Sequence, residues 1–129
     1  MEETQKKDIG AGQLTPGAKA KFLEAFAVVQ EYLYRINESK GWHDPAATDA
    51  ECVANVHGEV SELNDWLRQG FSIPSDHIPL YTGVEEEGAD VVIRLSNWFS
   101  RRGWRLADAI LAKAEYNASR PHRHGDKVY

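Results

Sequence analysis

The stretch NVHGEVSELNDWLRQG, residues 55–70, predicts a helix. Its apolar side chains recur at the period of an α-helix and form one stripe: Val56, Val60, Leu63 and Leu67. Gly70 follows the stripe and is typical of a helix end. Glu59 and Glu62 stand beside the stripe, one turn apart, so we expect two like charges along the edge of a buried helix face.

The same periodicity predicts four helices, over about residues 15–39, 48–69, 84–101 and 105–118. The first begins at a Thr-Pro pair, because a capping hydroxyl followed by proline starts helices. The second begins at Thr48 or Asp49 and ends at Gln69. Residues 70–83 hold two prolines and two glycines and are predicted to form a loop. No stretch shows the alternation of a strand, so the predicted fold class is all-α.

We expect one domain over residues 15–118, between a flexible arm and a tail. The arm, residues 1–14, is polar and contains glycine, and the tail, residues 119–129, is predicted to be irregular and to contribute to the site. A chain of 129 residues is long enough to build a core without disulfides or structural metals.

Composition narrows the class of protein. Cys52 is the one cysteine, which excludes a disulfide framework and favours a reducing compartment. A net charge of −5 argues against a general nucleic-acid binder. No apolar run reaches the roughly 20 residues that cross a bilayer, and the first residues do not resemble a signal segment. The sequence therefore predicts a cytoplasmic protein without a membrane or nucleic-acid partner.

The third predicted helix repeats the acidic pair of the second. Its stretch EEEGADVVIRL, residues 85–95, places Glu87 and Asp90 one turn apart, at nearly the same angular offset from the apolar stripe. If these two helices pack antiparallel, four carboxylates converge, and their repulsion then requires a cation. Oxygen ligands alone suit Mg²⁺ or Mn²⁺, whereas di-iron bundles place histidines at such positions. A single acidic pair on a helix is usually a solvated face, whereas two pairs at matched offsets are explained equally well by a solvated face and by a cation site.

The ordered set of motifs resembles the MazG-like, all-α nucleoside triphosphate pyrophosphohydrolase superfamily. Members carry an ExxE pair on one helix and an ExxD pair on the next, and here these are EVSE, residues 59–62, and EGAD, residues 87–90. The following VVIRL is similar to the apolar run that continues the ExxD helix. KAEYNASRPHRHGDK, residues 113–127, resembles the C-terminal segment of small bacterial and phage members. The likeness covers about residues 50–127.

This resemblance implies a four-helix bundle completed by homo-oligomerisation, as a homodimer or homotetramer. It also implies hydrolysis of nucleoside (deoxy)triphosphates to a nucleoside monophosphate and pyrophosphate. The implied ligands of Mg²⁺, with Mn²⁺ as a substitute, are Glu59, Glu62, Glu87 and Asp90. The catalytic roles fall to Glu59 and Glu62, with Glu59 preferred as the proton acceptor.

The C-terminal segment contributes the predicted phosphate contacts, which are Lys113, Asn117, Arg120 and Lys127. Cationic and amide side chains suit a polyanionic substrate. A solvated helix residue, a helix-capping amide and a basic tail explain the same residues without a ligand. His122 and His124 lie in this tail and are more typical of solvated histidines than of metal ligands.

Three aromatic residues are candidates for stacking on the nucleobase: Tyr34, Trp42 and Trp66. Aromatic faces stack on bases for about 1–3 kcal/mol each. Packing in the core or in a subunit interface explains these aromatics equally well.

One position departs from the family pattern. Many members carry a glutamate just before the ExxE pair, where this chain has Gly58. If that acid normally activates water, the task falls here to Glu59, Glu62 or Glu86. Two alternatives therefore stay open: a helical nucleotide- or protein-binding module that has lost turnover, and a plain dimerising bundle whose acids are surface charge.

Overall fold

The computed structural model describes residues 8–10 and 12–128, except for the side chain of His124. This part of the chain contains four long helices and one short helix: α1 Pro16–Ser39, α2 Asp49–Gln69, α3 Gly83–Arg102, α4 Leu106–Ser119 and α5 Arg123–Asp126. Within the described ranges there is no strand, only isolated bridges such as Pro74 with Thr82. The all-α prediction is confirmed. None of the described helices is long and apolar enough to cross a membrane.

Local capping signals set the helix ends close to where they were predicted. Thr48 and Thr82 each begin a helix with a capping box. In each box the threonine hydroxyl accepts from the backbone N–H of the glutamate three residues later, and the carboxylate of that glutamate accepts from the backbone N–H of the threonine. Gly103 ends α3 in the left-handed conformation, with φ of 67°. The predicted ends therefore differ from the observed ones by one residue or less for α2 and α3.

The N-terminal arm and the C-terminal tail both contain local structure. The tail was predicted to be irregular, yet Arg123–Asp126 form the one-turn helix α5. The predicted arm falls partly outside the described residues, which omit 1–7 and 11. Its described part forms a turn before α1, in which the backbone N–H of Thr15 donates to the carbonyl of Asp8 at 3.0 Å.

The chain divides into two compact units. One combines the residues up to Val29 with those from Arg105 onward, and the other is Gln30–Trp104. The second unit contains α2, α3 and the loop between them, so the four predicted acidic ligands belong to the same unit.

Helices α2 and α3 pack against each other in antiparallel orientation. Three of the side-chain contacts between them follow at intervals of one heptad along both helices: Trp66 with Glu87, Glu59 with Arg94, and Cys52 with Arg101. Residue numbers rise along α2 as they fall along α3, which defines the antiparallel register. We call these six residues the polar seam, because hydrogen-bonding groups meet at each level.

The polar seam overturns one expectation about burial. The apolar stripe of α2 was predicted to be buried with Glu59 at its edge, yet Val60 and Leu67 are 49% and 45% exposed while Glu59 is 5% exposed. The reason is rotational: α2 turns the side with Glu59 and Trp66 toward α3, and Val60 lies about 100° further round the helix. Among the residues that the structure describes, Ala107 is the one buried hydrophobic residue, at 8% exposed.

Candidate metal centre

Three carboxylates converge between α2 and α3. Glu59, Glu87 and Asp90 each offer an oxygen, and these oxygens all lie within 4.8 Å of one another. Glu59 is 5% exposed and Glu87 is 8% exposed, while Asp90 is partly buried. We call these three residues the candidate metal centre. Three of the four predicted ligands are thus brought together.

Glu87 is held on one side and lacks a partner on the other. The indole Nε1 of Trp66 donates to its Oε1 at 3.2 Å, whereas its buried Oε2 has no hydrogen-bond partner among the described residues. Burial raises the pKa of Glu87 to about 7, with a further rise from Glu59 and Glu62 that the Trp66 hydrogen bond opposes. A buried oxygen without a partner is costly, and a bound cation would supply what is missing.

Asp90 experiences the same surroundings. Burial raises the pKa of Asp90, and the charge of Glu59 raises it further, while the cationic Arg94 acts in the opposite direction. The centre therefore disfavours a full set of negative charges when no cation is present.

Glu59 has one resident cation. Nε of Arg94, one turn beyond Asp90 on α3, donates to its Oε1. The side chain of Glu59 is 7% exposed and that of Arg94 is 47% exposed, so the guanidinium reaches from the surface to a buried carboxylate. Among the described residues, Arg94 is the cation in direct contact with this cluster of three carboxylates.

Glu62, the fourth predicted ligand, stands apart from this group. It is exposed and does not belong to the three-acid cluster, although its charge contributes to the raised pKa of Glu87. Its carboxylate lies near the centre and remains open to solvent.

Glu86 is committed to the loop that precedes α3. Ser75 Oγ donates to its Oε2 at 2.5 Å, and Nδ1 of His77 lies 2.5 Å from its Oε1. These hydrogen bonds lower the pKa of Glu86, and the same contact raises the pKa of His77. Ser75 Oγ also accepts from the backbone N–H groups of His77 and Ile78 at 3.1 Å. The sequence makes Glu86 a candidate general base, but both of its carboxylate oxygens already contact Ser75 and His77 of this loop.

Trp66 packs so closely on the first turn of α3 that it needs a glycine there. A Cβ added to Gly83 would lie 2.0 Å from Cδ2 of the indole. The prediction placed Trp66 on the acid side of α2, and its hydrogen bond to Glu87 agrees with that placement. No pattern in the sequence indicates that Trp66 packs on Gly83.

The other predicted base contacts lie elsewhere in the same unit. The Tyr34 ring stacks on the ring of His43, with centroids 4.2 Å apart and planes 16° from parallel. One face of Tyr34 is therefore already covered, by a residue that sequence reasoning missed. Trp42 is 69% exposed.

The four predicted phosphate contacts belong to the other compact unit. Nζ of Lys113 lies 4.5 Å from the ring centroid of Tyr116, and the Arg120 guanidinium lies 5.7 Å from the same centroid. Asn117 has a buried Oδ1 without a hydrogen-bond partner among the described residues, and Lys127 is exposed after α5. Two of the four predicted phosphate contacts, Lys113 and Arg120, thus lie near the ring of Tyr116.

The donor set of the centre fits a hard divalent cation. Its three residues offer carboxylate oxygens alone, which are ligands that Mg²⁺ and Mn²⁺ accept and soft metals do not favour. The unpartnered Oε2 of Glu87 is an open ligand position. A comparison with protein-family models, curated proteins and solved structures finds no match for this chain.

Proposed function

We propose that this protein is a Mg²⁺-dependent hydrolase that converts nucleoside triphosphates to nucleoside monophosphates and pyrophosphate. The observation that carries the proposal is the buried group of Glu59, Glu87 and Asp90, with one carboxylate oxygen of Glu87 unpartnered. The choice of substrate rests on the resemblance of the two acidic motifs and the C-terminal segment to the MazG-like superfamily.

Metal binding and proton transfer are assigned to different carboxylates. Glu59, Glu87 and Asp90 would hold the cation, which supplies positive charge for phosphate oxygens and favours attack by water. Glu62 is the better proton acceptor of the two predicted catalytic glutamates, because it is exposed and Glu59 is paired with Arg94. The preference for Glu59 that the sequence suggested is replaced here by Glu62.

Substrate recognition follows the resemblance. Phosphate contacts are proposed for Lys113, Asn117, Arg120 and Lys127, whose charges and amide group suit phosphate oxygens. Trp66 is the proposed aromatic wall nearest to the acids, since it already contacts Glu87.

Product analysis with a panel of nucleotides tests the reaction. Eight ribo- and deoxyribonucleoside triphosphates are incubated with Mg²⁺, Mn²⁺ or EDTA, and pyrophosphate, orthophosphate and monophosphate are measured. Metal-dependent release of pyrophosphate with monophosphate is the expected result. Orthophosphate release would show that another phosphoanhydride bond is cleaved, and no product from folded protein would refute hydrolysis.

Paired variants connect the reaction to the centre. Glu87→Gln removes a cation ligand with little change in shape and is expected to abolish turnover. Asp65→Asn is the matched control, because Asp65 is an exposed acid on the same α2 helix. Equal loss in both variants would argue against a specific role for the centre.

A second candidate function is a nucleotide-binding module without turnover, and Gly58 favours it. The family acid is missing there, yet a Cβ added at this position would meet nothing within 4 Å. In Gly58→Glu, the Cβ of the glutamate at this position therefore meets no clash. Turnover that appears only in this variant would support the module, whereas an active protein with Gly58 would exclude it.

We also propose that the bundle is completed by a second copy of the chain, as a homodimer or homotetramer. The supporting observation is a half-exposed apolar stripe along α2, formed at heptad spacing by Val53, Val60 and Leu67. Such an a-position stripe is typical of helices that pack against another helix.

A further inference from the structure

The pairing of Arg94 with Glu59 joins a half-exposed guanidinium to a buried carboxylate. An exposed pair such as Arg35 with Glu31 on α1 has both side chains more than half exposed, at 73% and 60%. In the Arg94–Glu59 pair the carboxylate is almost fully buried and belongs to the candidate metal centre. A surface pair contributes little to stability, whereas a buried carboxylate depends strongly on its partner.

The position of Arg94 follows from the register of the polar seam. Glu87, Arg94 and Arg101 lie one heptad apart on α3, facing Trp66, Glu59 and Cys52 on α2. The middle level of the seam thus places a guanidinium directly beside one ligand of the centre. One heptad away, Trp66 of α2 donates a hydrogen bond to Glu87 of α3. Two of the three ligands, Glu59 and Glu87, therefore each accept a hydrogen bond from a side chain of the opposite helix.

Charge balance favours keeping this guanidinium in place when a cation binds. Three ionised carboxylates carry three negative charges, and a divalent cation together with Arg94 carries three positive charges. The buried centre is then neutral, which low dielectric surroundings favour. Because Arg94 donates to Oε1, the second oxygen of Glu59 remains for the metal.

We propose that Arg94 is a positioning residue of the metal centre: it orients Glu59 for the divalent cation and stays paired with it in the metal-bound state. The inference rests on the metal centre of the proposed function. It adds a residue outside the ligand set, on which the metal affinity of this chain depends.

Mn²⁺ binding by four proteins tests the proposal without any substrate. The wild type, Arg94→Gln, Arg94→Lys and Arg101→Gln are titrated with Mn²⁺ alone, and free Mn²⁺ is followed by electron paramagnetic resonance. Arg101 is the matched control, because it lies on the same face one heptad along and donates to Cys52 Sγ at 3.3 Å rather than to a carboxylate. Circular dichroism and thermal unfolding establish that each variant is folded.

The expected result is a Mn²⁺ affinity weaker by roughly 10–100-fold in Arg94→Gln, as is typical when a partner of a metal ligand is removed. Arg94→Lys keeps the positive charge but lacks the planar guanidinium, so its Mn²⁺ affinity is expected to lie between that of Arg94→Gln and that of the wild type. Arg101→Gln should bind as the wild type does. If Arg94→Gln does not fold, the intermediate affinity of Arg94→Lys carries the test.

Three results would overturn the inference, and they separate it from the proposed function. Wild-type affinity in a destabilised Arg94→Gln variant means that Arg94 supports only the fold. Tighter Mn²⁺ binding in that variant means that the guanidinium competes with the cation. Absence of Mn²⁺ binding by the wild type removes the metal centre itself and, with it, both this inference and the proposed hydrolysis.

Discussion

The indole of Trp66 on α2 donates a hydrogen bond over 3.2 Å to Oε1 of Glu87 on α3, while Oε2 of the same carboxylate is buried without a partner among the described residues. The bond therefore orients Glu87 without neutralising it. A carboxylate that is held in place yet unbalanced in charge is well prepared for a cation, because little further ordering is needed when the cation binds.

Divalent cations are expected to stabilise the folded protein through this carboxylate. Binding to the folded state alone contributes about 2.7 kcal/mol when the ligand is present at 100-fold its Kd. Glu87→Gln should lose this stabilisation, because the amide replaces a charged ligand. Thermal unfolding with Mg²⁺ and with EDTA measures the effect, with Asp65→Asn as the control. A Mg²⁺-dependent rise in Tm that persists in Glu87→Gln would place the cation elsewhere.

Stability without metal is expected to depend on the protonation of Glu87. Its pKa is about 7 in the folded protein against 4.5 for an ordinary glutamate, so the folded state binds the proton more tightly than the unfolded state. The free energy of unfolding therefore falls as the pH rises from 4.5 to about 7 and levels off above that range. Each pKa unit of difference corresponds to roughly 1.4 kcal/mol.

Urea unfolding in EDTA across this pH range, with Glu87→Gln in parallel, measures that dependence. Asp90 also has a raised pKa, so its ionisation likewise lowers the free energy of unfolding as the pH rises. Glu86 has a lowered pKa, so its ionisation raises the free energy of unfolding as the pH rises. The difference between wild type and variant isolates Glu87. Parallel curves would mean that Glu87 does not titrate in this range.

Gly83→Ala is expected to destabilise the contact between α2 and α3. The added Cβ would lie 2.0 Å from Cδ2 of Trp66, so the indole must move and its hydrogen bond to Glu87 is lost. Overpacking of this kind costs about 1–3 kcal/mol. Chemical unfolding and tryptophan fluorescence report the change.

Gly58→Ala is the control for this prediction. The position lies inside α2 and has open space around it, so alanine should raise the stability by about 0.5–1 kcal/mol. Similar effects of both substitutions would show that backbone flexibility, rather than the indole, decides the outcome at Gly83.

Val60→Asp is expected to separate the proposed oligomer into monomers. Val60 is 49% exposed in the single chain and lies at the middle of the stripe formed by Val53, Val60 and Leu67 on α2. A charge there opposes burial against a second copy. Light scattering after gel filtration measures the mass. Val128→Asp, at an 81% exposed tail position, should leave the mass unchanged. A wild-type protein with the mass of one chain would contradict the proposal directly.

Helix positions were predictable because their determinants are local. Thr48 and Thr82 form capping boxes with glutamates three residues away, and Gly103 ends a helix within its own turn. The acids of the centre were predictable for a related reason, since an ExxD spacing places Glu87 and Asp90 on one side of a helix wherever that helix packs. None of these relations depends on distant residues.

The burial of α2 could not be read from its apolar stripe. Hydrophobicity favoured a buried Val60 and Leu67, yet both are about half exposed and Glu59 faces α3. Which face meets a neighbour depends on the register of two helices, and here that register brings together Glu59 and Arg94, 35 residues apart in the chain. The same holds for Glu86, whose partners Ser75 and His77 lie in the preceding loop.

Local patterns were enough to predict the all-α class, the ends of α2 and α3 and the acids of the centre, because periodicity, capping and spacing act within a few turns of one helix. The packing of the segments makes Glu59 buried, gives it Arg94 as a partner, leaves Glu62 exposed and brings Glu86 to the loop that it holds. These outcomes depend on how α2 and α3 are rotated and aligned against each other, and on where the loop before α3 folds back. Both are properties of packing between segments, which no local pattern of residues specifies.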